Sequence, residues 1–141
     1  MRVTILPSLV RSTYGDPALP HEPTGCAVSS RGPLAERHCV ACKPGTPPLP
    51  RSEIDRLLEE VPDWSVEDAE GRLRLVRTVK FKGFMPGVQL VDRIAPIAEA
   101  EGHHPDLLLA YGSLTIWLTT HAAGGLTDND FILAARLDKV I

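Results

Sequence analysis

The residues best suited to chemistry lie near the C-terminal end of the chain. His103 and His104 are adjacent, and His121 and Asp130 follow in order. Imidazole has an ordinary pKa of about 6.5, so it can give or take a proton near neutrality. Two neighbouring imidazoles resist simultaneous protonation, which leaves one as acid and the other as base. That division suits an elimination, in which one group removes a proton while another protonates a departing hydroxyl. The same four side chains also form a ligand set for Zn²⁺ or a similar ion, the alternative of a metal-dependent hydrolase. Upstream, Cys39-x-x-Cys42 reads as half a zinc site that His38 and Cys26 would complete, as a redox pair, or as two unlinked thiols. Gly124-Gly125 before Leu126-Thr127 reads as a tight turn feeding a capped helix rather than an anion-binding loop.

The elements that must position these groups follow from spacing. Ile54, Leu57, Leu58 and Val61 have helical periodicity, with Ser52 and Asp55 as a capping box and Pro62 as the stop. The text from Trp64 to Phe81 is strand-like and breaks at Glu70-Gly71. Leu73, Leu75, Arg77, Val79 and Phe81 fall on one side of its second half. Phe84, Val88, Val91, Ile94, Ala95 and Ala98 mark one face of a long helix, which Pro96 should kink. A hairpin follows over 106–111 and 114–120. Thr127 then caps a last helix, with Asp130 at its third position. The order α-β-β-α-β-β-α predicts an α+β fold, a four-stranded antiparallel sheet with helices packed on one face. Trp64 and Trp117 read as core or interface residues, since no basic stripe accompanies them.

Hairpin register converts this layout into a site. Gly112-Ser113 has the Gly-X form of a two-residue type II′ turn. Such a turn sets Leu109 opposite Ile116, Leu107 opposite Leu118 and, carried outward, His104 opposite His121. Directly opposed residues have Cβ atoms about 4.5–5.5 Å apart. The predicted site is therefore a pair of imidazoles at the open end of the hairpin, with His103 beside them. Pro105 has no N–H and must stand at an edge or a strand start.

Composition bounds the rest. The chain has 141 residues, a formal net charge of −3 and 43% hydrophobic residues. That is enough for one modest core, and it excludes collagen-like, coiled-coil and wholly disordered classes. No apolar run reaches the roughly 20 residues of a membrane helix, and the mild acidity argues against a general nucleic-acid binder. Nine of the 13 prolines precede position 51, and residues 1–33 read as a disordered or loosely docked extension to a domain at 34–141. Arg2 and the apolar Val3-Thr4-Ile5-Leu6 only faintly suggest a leader, because Pro7 cuts the run and no small-residue cleavage site follows. A cytoplasmic location is expected.

Taken together, Glu101-Gly102-His103-His104-Pro105, Tyr111, Thr120-His121, Gly124-Gly125-Leu126-Thr127 and Asp130 resemble the pattern of the pterin-4a-carbinolamine dehydratases. The similarity continues upstream through Cys39-Val40-Ala41-Cys42, Pro47-Pro48-Leu49, Pro62-Asp63-Trp64, Phe81-Lys82-Gly83-Phe84 and Val91-Asp92-Arg93-Ile94-Ala95. The resemblance implies the same sheet-and-helix fold, usually as a homodimer or homotetramer. It also implies dehydration of 4a-hydroxytetrahydrobiopterin, or a related pterin carbinolamine, to the quinonoid dihydropterin, without metal or organic cofactor. The product is recycled for aromatic amino-acid hydroxylation. The family's catalytic histidines fall on His103, His104 and His121, with His104 and His121 the primary acid–base pair. Its acidic residue falls on Asp130, which would orient a histidine or bind the pterin, and Pro105 would hold the His-His corner at the substrate. Leu107 and Leu108 stand where an aromatic is usual, which leaves the pterin's identity more open than the reaction type. Animal members also partner a homeodomain transcription factor, a role that nothing in this sequence supports.

Overall fold

The computed structural model describes residues 32–141, so most of the expected N-terminal extension lies outside the described residues. Four antiparallel strands, β1 (Ser65–Ala69), β2 (Arg72–Lys80), β3 (Asp106–Ala110) and β4 (Ser113–Leu118), form one sheet in the order β1-β2-β4-β3. Three helices, α1 (Arg51–Leu58), α2 (Met85–Glu101) and α3 (Asp128–Leu137), complete the predicted α-β-β-α-β-β-α order. Leu75, Leu114, Ile116 and Leu118 turn inward and pack with Ile54 and Leu57 of α1, Leu90 and Ile94 of α2, and Phe131 of α3. The other sheet face carries Thr78 and Leu108, both exposed. Alternation along the strands therefore separates core from solvent as a half-covered sheet requires. Helix α3 is buried from Asn129 through Ala135, which makes it the central helix of the core. Leu34, in a short 3₁₀ turn, is also fully packed into that core.

Several local expectations hold. Glu70 and Gly71 both take positive φ (55° and 82°), as a tight hairpin bend demands. Thr127 is the N-cap of α3, with Asp130 three positions on. Trp64 is buried and donates its indole N–H to Asp138 Oδ1 at 2.7 Å.

Three local expectations do not. Helix α1 begins directly after Pro50, where the proline run ends, and Asp55 pairs with Arg51 (Nε to Oδ1 3.0 Å) instead of forming a capping box with Ser52. Helix α2 buries Gly87, Leu90, Ile94 and Ala98, leaving Phe84 and Ala95 exposed. The buried stripe lies part of a turn away from the expected one because Phe84 is the N-cap and stands outside the packed face. As the spacing predicts, helix α2 continues past Pro96, which sits on its exposed side.

The third correction concerns the β3–β4 turn. It consists of Tyr111 and Gly112, with Ala110 paired to Ser113, Leu109 to Leu114 and Leu107 to Ile116. Gly112 has φ 83° and is the second turn residue, whereas a type II′ turn needs the positive φ at the first. Tertiary bonds hold it there. Phe81 N–H donates to Gly112 C=O at 3.0 Å, and Gly112 N–H donates to Gly83 C=O at 3.1 Å. Carried outward, the observed register sets His104 opposite Thr119, not His121. The slip is two residues, so every side chain keeps its face.

Candidate active site

His103 and His104 enter the site from the end of α2. Gly102 takes the left-handed conformation (φ 59°, ψ 25°) that stops the helix. His103 N–H then donates to Ala98 C=O and Gly102 N–H to Glu99 C=O, both at 3.2 Å, the paired bonds of a Schellman closure. The two histidines therefore leave the helix in a fixed direction. His121 arrives differently. Strand β4 ends at Leu118, and Thr120 pairs with Gly125 through N–H to C=O bonds of 3.0 and 3.4 Å. This pairing closes a tight 3₁₀ turn over His121–Ala123 and returns His121 to the side occupied by the other two.

All three histidines line one cavity of about 620 Å³, the size expected of a small-molecule site. Its walls come from residues 39–42, 99–104 and 119–122, together with Asn129. Pro105 is not among the lining residues and stands immediately before β3. Asp130 is not among them either. It is fully buried behind His103, whose Nε2 lies 2.7 Å from its Oδ1. Its Oδ2 accepts from Thr127 N–H at 2.8 Å and from the Thr120 hydroxyl at 2.9 Å. The Thr127 hydroxyl lies 2.8 Å from that of Thr120 and donates to it, since the Thr120 proton is already committed. Both Asp130 oxygens are thus engaged by protein groups, and the side chain faces His103 rather than the cavity. His104 is exposed and places Nε2 2.9 Å from Glu99 Oε2. His121 is exposed as well.

Several lining residues went unassigned in the sequence. Glu101 has a side chain 3% exposed. Its Oε1 accepts from Arg136 Nη1 at 2.9 Å and its Oε2 from Cys39 N–H at 2.7 Å, with His38 Nδ1 3.0 Å from Oε1. Burial alone would raise the Glu101 carboxyl, but the Cys39 N–H, Arg136 and His38 outweigh it and hold the group below the ordinary glutamate range. A depressed carboxylate stabilises the fold above its unfolded pKa, and the gain disappears as pH falls through the folded one. Glu101→Gln should accordingly melt a few degrees below wild type at pH 7, on the order of 1–2 kcal/mol for lost charge-assisted bonds. The gap should close on acidification below about pH 4. Thermal melts of both proteins across pH check this, and a gap that widens in acid contradicts it.

Cys39 is a free thiol whose Sγ lies 3.5 Å from Asn129 C=O, so it forms no disulfide with Cys42. The reading that adds Cys26 falls partly outside the described residues. Among the described residues, no three His, Cys, Asp or Glu side chains are grouped to hold a metal ion. Among them, also, no helix is long and apolar enough to cross a membrane.

The fold and site define a small α+β domain with a histidine-lined cavity and a buried carboxylate behind one imidazole. Comparison with known proteins makes the class specific. Residues 47–140 match the family described as Pterin 4 alpha carbinolamine dehydratase. A Chlorobium limicola protein assigned by name to the pterin-4-alpha-carbinolamine dehydratases is 49% identical over 103 residues, covering 73% of this chain and 91% of its own. A Halorhodospira halophila protein assigned the same name is 42% identical over 107 residues, covering 76% and 96%. The crystal structure of a transcriptional coactivator/pterin dehydratase from Brucella melitensis aligns with TM-score 0.59 and 29% identity, over 66% of this chain and 97% of that one. The chain belongs to the pterin-4a-carbinolamine dehydratase family, and it is an enzyme of the hydro-lyase class.

Proposed function

We propose that the cavity dehydrates 4a-hydroxytetrahydropterin to the quinonoid dihydropterin by histidine acid–base catalysis, in tetrahydropterin recycling in the cytoplasm. The observation that carries this reading is the meeting of three imidazoles on one cavity, one of them backed by a buried carboxylate. A carboxylate only accepts hydrogen bonds, so the proton between Asp130 and His103 belongs to Nε2. The neutral ring then presents an unprotonated Nδ1, and His103 acts as the base. It takes the proton from the substrate's ring nitrogen as the C4a–O bond breaks and a C=N bond forms. His104 or His121 gives a proton to the departing hydroxyl, which leaves as water. Solvent returns the two histidines to their starting states. Neither metal nor organic cofactor has a part in this sequence of steps.

The substrate is a flat pterin, and the enzyme works as a homodimer or homotetramer. Exposed Leu108 on edge strand β3 supports that self-association. The test is the absorbance decay of a 4a-carbinolamine pterin, with the uncatalysed rate subtracted. Purified protein should accelerate the decay in chelator-treated buffer. A rate equal to buffer alone would overturn the reading.

A further inference from the structure

One wall of the cavity belongs to no helix or strand. Residues 37–42 run beside α2 and α3, and side chains from those helices fasten their backbone. Arg136 Nε donates to Arg37 C=O at 2.8 Å, and Cys39 N–H donates to Glu101 Oε2 at 2.7 Å. Asn129 grips the next residue at both ends of its backbone. Its Oδ1 accepts from Val40 N–H at 3.0 Å, and its Nδ2 donates to Val40 C=O at 2.6 Å. Asn129 is 4% exposed and Glu101 nearly as buried, so these polar groups specify where the segment lies rather than merely keep it wet. Both anchors adjoin the acid–base residues in sequence, Glu101 two positions before His103 and Asn129 immediately before Asp130.

The residue so gripped is an oddity. Val40 is 47% exposed, one of the few large apolar side chains left open, and it lines the cavity alongside the histidines. An apolar side chain held in place at a polar cavity wall suits one face of a flat heterocycle, because the ring faces are the part of a pterin that gains from leaving water. We infer that Val40 is a substrate-contacting residue that packs on the pterin ring, and that Asn129 and Glu101 are positioning residues that hold it there. This deepens the dehydratase reading and rests on it.

Val40→Asp tests the contact without threatening the fold, since the side chain is exposed. Burying one valine-sized side chain is worth roughly tenfold in affinity. The variant should therefore bind a stable oxidised pterin about tenfold more weakly, read by quenching of pterin fluorescence. It should raise KM for the carbinolamine by a similar factor with kcat within about threefold. Asn129→Ala should show the same split. It should also speed alkylation of Cys39, whose thiol burial, together with the charges of Glu101 and Asp130, pushes up to about 12 and keeps neutral. If Asn129→Ala does not fold, Val40→Asp decides alone. Wild-type pterin affinity in Val40→Asp overturns the inference, as does a fall in kcat with KM unchanged. Wild type that binds pterin but does not dehydrate the carbinolamine is instead a failure of the functional reading, and a weakened Kd in Val40→Asp would still support the contact.

Discussion

Asp130→Asn is expected to lower kcat by about 10²-fold or more while the protein stays folded and KM stays near wild type. The side chain is isosteric, and its Oδ1 can take over the bonds from Thr127 N–H and the Thr120 hydroxyl that Oδ2 accepts now. The start of α3 therefore keeps its cap, with stability changed by no more than about 1 kcal/mol. The atom facing His103 becomes an amide N–H₂, which donates. His103 Nε2 must then accept, and its proton moves to Nδ1, the atom that was to serve as base. The same logic of tautomer control governs carboxylate-oriented histidines in general, where losing the acceptor is costly although the geometry survives. Asp130 does not line the cavity, so ground-state binding has no reason to change. Steady-state kinetics with a melting curve separates the outcomes. A variant that loses KM and keeps kcat would move Asp130 from orienting the base to shaping the pocket.

His121→Ala should cost on the order of 10²-fold or more in turnover, the usual contribution of one positioned acid or base. The side chain is exposed and sits in a short turn held by backbone bonds between Thr120 and Gly125, so its removal should leave the melting temperature unchanged. That separation of activity from stability makes it the cleaner of the histidine variants. His103 is bonded to buried Asp130, and truncating it strands one carboxylate oxygen. A His121→Ala protein as fast as wild type would leave His104 as the acid.

Much of the fold follows from local pattern. Strand alternation, the Glu70-Gly71 bend and the Thr127 cap each depend on residues within a few positions of one another, and each was legible. The β3–β4 register was not, because the turn is set by bonds from Phe81 and to Gly83, some 30 positions upstream. The three histidines were nonetheless expected together and do share a cavity, but for a different reason. The Schellman closure at Gly102 and the Thr120–Gly125 pairing bring them there, not a cross-strand pair. The wall at residues 37–42 is the least legible part. Val40 and Asn129 are separated by 89 positions, and no periodicity links a buried asparagine to a particular backbone amide. Asn129 lies between two aspartates in the first turn of a helix, where an asparagine looks like surface. The cysteine pair is open to ligand, redox and incidental readings in the sequence for a related reason. Spacing alone suggests ligands or redox chemistry, whereas in the structure the Cys39 backbone N–H is a fastening point to Glu101.

Whether this cavity moves two protons in opposite directions on a pterin carbinolamine is decided by following 4a-carbinolamine decay with wild type and with the His103→Ala/His121→Ala double variant, each corrected for the uncatalysed rate. Wild type should accelerate the decay, and the double variant should fall to within a few-fold of background, by less than the product of the two single losses because the groups act together. A folded double variant that still dehydrates the substrate at the wild-type rate would contradict the account.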